Sequence, residues 1–294
     1  ASTAPAANFG LSGSVTIKTL DSNSAAVGFA RLNWATAFDL NGDGSKDILN
    51  PGVDLPTPAS LSINFASSLQ LRVSGSVIGD VANANKLLVA GPVSIAGSAE
   101  FALTRQTADI DTDGNNTPDL LGATLDSIAL SVNNAALVVD GVATLTVSGA
   151  LAMARITPAG QTTARYTALK MGNVTISAST APAANFGLSG SVTIKTLDSN
   201  SAAVGFARLN WATAFDLNGD GTKDILDPGA DLPTPASLSI NFASSLQLRV
   251  SGSVIGDPAN ANKLLVAGPV SIAGSAEFAL TRQTADVDTD GNGS

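Results

Sequence analysis

The 294-residue sequence contains no cysteine and no histidine. Disulfides, thiol nucleophiles, thiolate metal sites and imidazole bases are therefore excluded, and with them most hydrolytic and redox mechanisms. Aromatic residues make up only 4% of the chain while hydrophobic residues reach 44%, so one large or two medium cores must be filled mainly by aliphatic side chains. No apolar run approaches the length of about 18 residues that a membrane-spanning helix requires, and no charged-then-apolar leader opens the sequence. Basic residues are also scarce: 15 Lys and Arg stand against 24 Asp and Glu, for a formal net charge of −9. That balance argues against a nucleic-acid groove.

What is present is acid in a pattern. Asp39-Leu40-Asn41-Gly42-Asp43-Gly44-Ser45-Lys46-Asp47 places oxygen-bearing groups at alternate positions around a glycine-marked turn. Calcium takes about six to eight oxygen ligands, and a loop with side chains at its first, third and fifth positions and a carbonyl at its seventh supplies them in order. The expected ligands are Asp39, Asn41, Asp43, Ser45 and Asp47, with Asn50 at the twelfth position. The pattern recurs at Asp216, Asn218, Asp220, Thr222, Asp224 and Asp227. A second kind of acidic turn offers Asp109, Asp111, Asp113, Asn115 and Asp119, and its counterpart offers Asp286, Asp288, Asp290 and Asn292. Asp, Asn and Gly favour turns without any metal, but three such groups within five residues repel one another unless a cation neutralises them. Fourteen of the 24 acidic residues lie in or beside these four stretches, so four Ca²⁺ ions would bring the formal −9 to about −1.

The chain is also repetitive. Residues 1–117 recur at 178–294 with an offset of 177 and seven differences: Ser45/Thr222, Asn50/Asp227, Val53/Ala230, Val81/Pro258, Ile110/Val287, Asn116/Gly293 and Thr117/Ser294. The expected organisation is a first unit at 1–177 and an incomplete second at 178–294, and because the second copy stops inside its acidic turn the sequence reads as a window on a longer array. Residues 178–184 read as a short connector lying on a neighbouring surface.

Within the unit, residues 12–17, 61–65, 69–77, 89–95, 143–151 and 165–169 alternate apolar with small polar residues, the period of strands with one buried face. Glycines near the middle of several strands mark bends. Turns are expected at 21–24, 81–85, 133–134 and 158–160. Trp34 and Trp211, just before the first acidic loop of each copy, either pack that loop against a core or offer a face to a sugar. Tyr166, the only tyrosine, reads as a half-buried anchor. Asp80, Glu100, Asp126 and Asp140 are scattered, and nothing in their spacing selects a catalytic pair. Lys18, Arg72, Arg105 and Lys170 read as solvent-face or edge charges.

Asp-Leu-Asn-Gly-Asp-Gly-x-Lys-Asp, Asp-x-Asp-Thr-Asp-Gly-Asn and Val-Ser-Gly-Ser-Val strands in near-identical long units resemble the giant repetitive surface proteins of bacteria, including calcium-dependent biofilm adhesins. The resemblance implies export, stiffening by Ca²⁺, and service as a stalk, fibre or adhesin at the cell surface. The expected fold is all-β, built of elongated tandem units that are long-stranded sandwiches or else a β-solenoid. The expected role is structural rather than enzymatic, through self-association with neighbouring repeats or chains; the alternative is an adhesin module meeting glycan or a cell surface.

Overall fold

The period-two stretches become long antiparallel strands in the computed structural model, which describes residues 9–90, 93–139, 143–180, 186–267 and 270–286. In chain order the strands are β1 (Phe9–Leu11), β2 (Ser14–Ser22), β3 (Leu69–Ile78), β4 (Lys86–Ala90), β5 (Val93–Ile110), β6 (Leu120–Val139), β7 (Ala143–Thr157), β8 (Tyr166–Thr180), β9 (Phe186–Ala202), β10 (Leu246–Ile255), β11 (Lys263–Ala267), β12 (Val270–Ala273) and β13 (Ser275–Gln283). The five strands β5 to β9 form a meander in which each pairs antiparallel with the next. On the outer edge of β5, β3 and β4 lie end to end, and on the outer edge of β9, β10 and β11 do the same.

The long strands bend together. Register slips between Ala96 and Ser98, between Val132 and Ala135 and between Ser148 and Ala150. Gly97, Asn134, Gly149 and Asn173 all have positive φ, at 119°, 49°, 138° and 52°. A Cβ on Gly97 would meet the Asn134 carbonyl oxygen at 2.6 Å, and one on Gly149 would meet the Val174 Cα at 2.5 Å. These are bulges stacked in a row across the sheet, which is how strands of 15 to 20 residues turn without breaking their ladder.

One face of the sheet is covered. The covering layer is residues 203–245, between β9 and β10, and it contains almost no regular structure beyond the 3-10 turn Pro228–Asp231 and an isolated bridge from Leu226 to Ile240. On the sheet side the buried positions are small or aliphatic apart from Tyr166: Ala102, Ala108, Ile110, Ala123, Leu125, Ala129, Ala152, Ala154, Ile156 and Ala168. On the covering side they are large apart from Ala214: Leu209, Trp211, Phe215, Leu226, Leu232, Leu238, Ile240 and Phe242. Small faces large, so the aromatic poverty of the chain is offset by concentrating eight of its thirteen aromatic residues in this cap and in its counterpart at 23–68. Burial of about 25 cal/mol per Å² of apolar surface makes this the main source of stability. The sheet side of the core comes from residues 102–168 and its cap from residues 209–242, which repeat the sequence of 32–65.

The all-β expectation holds, and the described strands form one antiparallel network with no second sheet packed against it and no solenoid coil. A solenoid stacks parallel coils, whereas a meander can only pair antiparallel. Residues 61–65 are extended but belong to a cap, joined to it by a single bridge from Leu49 to Ile63. Residues 133–134 are a bulge inside β6 rather than a turn, while Pro158 to Gln161 does turn, with the Gln161 amide donating to the Pro158 carbonyl at 3.0 Å. Residues 178–180 of the expected connector end β8, and 181–185 lie outside the described residues. Tyr166 is buried, not half-buried. The supposed edge charges have partners: Arg72 pairs with Asp21 at 2.6 Å, Arg105 with Asp126 at 2.6 Å, Lys170 with Asp198 at 3.5 Å, and Lys18 donates to the Pro233 carbonyl at 2.8 Å. No helix among the described residues is long and apolar enough to cross a membrane.

Candidate metal centre

The acidic stretches fold as Asp- and Asn-capped loops. In the first, Asp39 accepts from the amides of Gly42 at 2.7 Å and Gly44 at 3.0 Å, and Asp47 reaches back to accept from Leu40 at 2.7 Å. Asn41 accepts from the amide of Asp43 at 2.9 Å, and Asp43 from the amide of Ser45 at 2.8 Å. The loop at 216–224 repeats this bond for bond: Asp216 accepts from Gly219 and Gly221, Asp224 from Leu217, Asn218 from Asp220, and Asp220 from Thr222.

The loop between β5 and β6 uses the same scheme in a register that the alternation of its acids concealed. Asp111 accepts from Gly114 at 2.7 Å and Asn116 at 2.9 Å, and Asp119 from Thr112 at 2.7 Å. Asp111, Asp113, Asn115, Asn116, Thr117 and Asp119 therefore occupy the places of Asp39, Asn41, Asp43, Gly44, Ser45 and Asp47. Asn116 takes the left-handed conformation, φ 68°, that Gly44 supplies in the other loop at φ 85°. Aligning the two loops on their second glycine position would have found this, because Asn tolerates that conformation nearly as well. Asp109 stands outside the ring and caps the Gly122 amide at 2.6 Å.

Among the described residues, one group of acids converges enough to hold a metal ion: carboxylate oxygens of Asp111, Asp113 and Asp119 lie within 4.8 Å of one another. Asp111 is buried and the other two are exposed. The first and third loops put an amide, Asn41 or Asn218, where this one puts Asp113. The twelfth-position residues serve elsewhere: Asn50 accepts from the Leu61 amide at 2.8 Å, and Asp227 caps the turn at Gly229 and accepts from Leu238 at 2.9 Å. Asp286 ends the described chain, and Asp288, Asp290 and Asn292 lie outside the described residues.

Hydrogen bonding favours the ionised form at several of these acids. The Ser45 hydroxyl and amide hold the Asp43 carboxyl below its ordinary value, the Thr222 hydroxyl and amide do the same for Asp220, and the Thr112 amide and hydroxyl for Asp119. Burial acts to raise Asp111, but the Lys223 ammonium and the amides of Gly114 and Asn116 outweigh it and the net shift is downward. Lys223 comes from the 216–224 loop and donates to Asp111 at 2.9 Å, while the Asp111 amide donates to the Ala214 carbonyl at 3.1 Å. Two acidic loops thus meet at the seam between the copies. An all-oxygen, partly anionic donor set of this kind suits a hard cation rather than a soft one.

The remaining candidates have structural engagements. Trp211 is fully buried, and its indole N–H donates to Asn200 at 3.0 Å; Trp34 makes the matching bond to Asn23 at 3.1 Å. Asp80 caps a 3-10 turn through the Ala82 amide, Glu100 accepts from the amide and hydroxyl of Thr234, and Asp126 pairs with Arg105; Asp140 lies outside the described residues. An open cleft of about 1090 Å³ lies where the two caps approach, with Asp109, Asp216, Asn218 and Arg31 on its walls. No family model, curated protein or solved structure matches the chain.

Proposed function

We propose that this chain is a structural, extracellular tandem-repeat protein whose β units interlock into a stiff, calcium-stabilised stalk or fibre. The observation that carries the reading is the unbroken antiparallel ladder, which runs from β3 and β5 through β6 to β9 into their repeat counterparts β10 and β13, so that wherever the period is divided neighbouring copies share one sheet. Units joined this way cannot swing as beads on a string, since separating them would break a continuous ladder of backbone hydrogen bonds. The cation reading is supported by the convergence of Asp111, Asp113 and Asp119 and by the recurrence of their loop scheme at 39–47 and 216–224. Calcium fits the oxygen donors, and its abundance outside cells favours an exported setting.

Thermal unfolding in millimolar calcium and in EDTA tests the reading. An ion that binds only the folded chain at about 100 times its Kd stabilises by about 2.7 kcal/mol, which for a chain of this size raises Tm by about 5 °C or more. Superimposable melting curves would remove the calcium clause. A second reading, an adhesin module, is favoured by one observation: Val27 and Val204, in the first turn of each cap, are both wholly exposed. Glycan binding lost on Val27→Asp and Val204→Asp together would favour that reading over a purely structural one.

A further inference from the structure

The two caps have nearly the same sequence and the same internal bonds but sit in opposite surroundings. In each, a buried asparagine ties the segment together: Asn200 donates to the carbonyls of Leu209 and Ala243, and Asn23 to those of Leu32 and Ala66. Tryptophan stacks near phenylalanine in both, with centroids 5.6 Å apart for Trp34 and Phe38 and 5.7 Å for Trp211 and Phe215. The fold of the cap is therefore set before anything lies beneath it. Yet Leu209, Leu232 and Leu238 are 1%, 2% and 3% exposed, while their counterparts Leu32, Leu55 and Leu61 are 45%, 45% and 55% exposed. Val204 and Val27, in the first turn of each cap, serve as an internal control at 101% and 102%. The difference is confined to the face that in the second copy rests on the sheet.

The strand beside the first cap also has one free edge among the described residues. Among the described residues β2 pairs only with β3, whereas the matching part of β9 pairs with β10 on one side and β8 on the other. An edge of this length, carrying the exposed side chains of Val15, Ile17 and Leu20, is a template for another strand.

We propose that the cap at 23–68 and the free edge of β2 form one docking surface whose occupant is the β5–β8 sheet of a further copy of the unit, placed directly before this one in a tandem array. The second copy displays the occupant: in it, the same surface already carries that sheet. The polar groups match as well. Lys223 reaches Asp111, Asp231 accepts from Thr104 at 2.6 Å, and Thr234 donates to Glu100 at 2.8 Å. Their counterparts Lys46, Asp54 and Thr57 are all exposed and stand ready for the same three partners on an incoming sheet. None of the differences between the two caps alters these groups or the three leucines: Thr222 and Ala230 are exposed, and Asp227 bonds within its own cap. The inference rests on the reading of the chain as an interlocked structural repeat and names the surface through which units join.

The test compares the 294-residue chain with one lengthened by a copy of residues 1–177 placed ahead of Ala1, which recreates at the new joint the sequence found around 177 and 178. The added copy carries Ser45→Thr and Val53→Ala, residues that the second copy already holds at Thr222 and Ala230, so that peptides from all three caps separate by mass. Hydrogen exchange over 45–61 of the original first cap is expected to slow by about a hundredfold on lengthening, to the rate of 222–238, while the added cap stays fast. Leu61→Asp in the lengthened chain is expected to abolish that protection and to leave the melting of the 294-residue chain unchanged, unlike Leu238→Asp. An original first cap that still exchanges as in the shorter chain would overturn the proposal, and so would a lengthened chain that aggregates, since the docked sheet has to be covered. Protection that survives EDTA with no calcium effect on Tm removes the calcium clause and leaves the docking intact. A calcium-dependent Tm with an open first cap does the reverse.

Discussion

The Lys223 ammonium lies 2.9 Å from the carboxylate of Asp111, a residue 112 positions earlier and almost wholly buried. This ion pair ties the acidic loop of one cap to the loop at the end of β5. Removing the lysine leaves Asp111 with two backbone donors but no counter-charge. Lys223→Ala is expected to destabilise the chain by about 1–3 kcal/mol, and Lys46→Ala, at the exposed equivalent, by less than about 0.5 kcal/mol. Urea denaturation of the two variants measures the contrast, and equal effects would mean that the seam is not what the pair supports.

The same asymmetry applies to the tryptophans. Trp211→Ala opens a cavity in the shared core and strips Asn200 of a donor, so a loss of about 3–5 kcal/mol is expected. Trp34→Ala acts on a half-exposed ring and is expected to lower stability by about 1–2 kcal/mol. Calorimetric melting of both variants decides it.

Asp113 gives a prediction whose sign depends on the metal. In EDTA, Asp113→Asn relieves repulsion from Asp111 and Asp119 while keeping an oxygen for the Asn115 amide, so Tm is expected to hold or rise slightly. In calcium the same variant removes an anionic ligand, and the gap between the calcium and EDTA melting curves is expected to shrink. A gap unchanged by the substitution would place the ion elsewhere.

Acid is expected to act late. Asp43, Asp111, Asp119 and Asp220 are all held below their ordinary values in the folded chain. A carboxyl with a depressed folded pKa contributes stability that is present above its unfolded value of about 3.9 and is lost as pH falls through the folded value. Melting in EDTA from pH 7 to 2 is therefore expected to be nearly flat down to about pH 4.5 and to drop steeply below it. With no histidine in the chain, a transition near pH 6 would contradict this.

The bulge row makes a backbone prediction. Gly149→Ala places a Cβ 2.5 Å from the Val174 Cα at φ 138° and is expected to destabilise by about 2–3 kcal/mol. Asn134→Gly at φ 49° is expected to cost less than about 1 kcal/mol, since glycine adopts that conformation freely and only the exposed hydrogen bond from the Ser148 hydroxyl is lost. Denaturation midpoints of the pair test whether the bend is set at these positions.

The strands at 69–77 and 143–151 were legible because alternation is local, and the mid-strand glycines pointed to the bends for the same reason. Leu61-Ser62-Ile63-Asn64-Phe65 misleads instructively. Its period is real, since the counterparts Leu238, Ile240 and Phe242 all face the core, but the segment reads a sheet already paired elsewhere and forms no ladder of its own. Asn133-Asn134 carries the composition of a turn, yet neighbouring strands on both sides hold it inside β6 as a bulge. The loop scheme was visible around Asp39 and Asp216; its register at Asp111 was hidden by Asp109, which extends the alternation by one step that the fold does not use. The partners of Lys170, Lys223 and Arg105 lie 21 to 112 positions away, beyond the reach of any local pattern.

The folded block of sheet and cap, from the start of β3 to the residue before its counterpart β10, occupies one whole period of the sequence. A gene that gains or loses a whole 177-residue period keeps every sheet followed by a cap, wherever the breakpoints fall. In the proposed array, length can then drift through unequal recombination without misfolded joints, and near-identical copies are the substrate that such recombination needs.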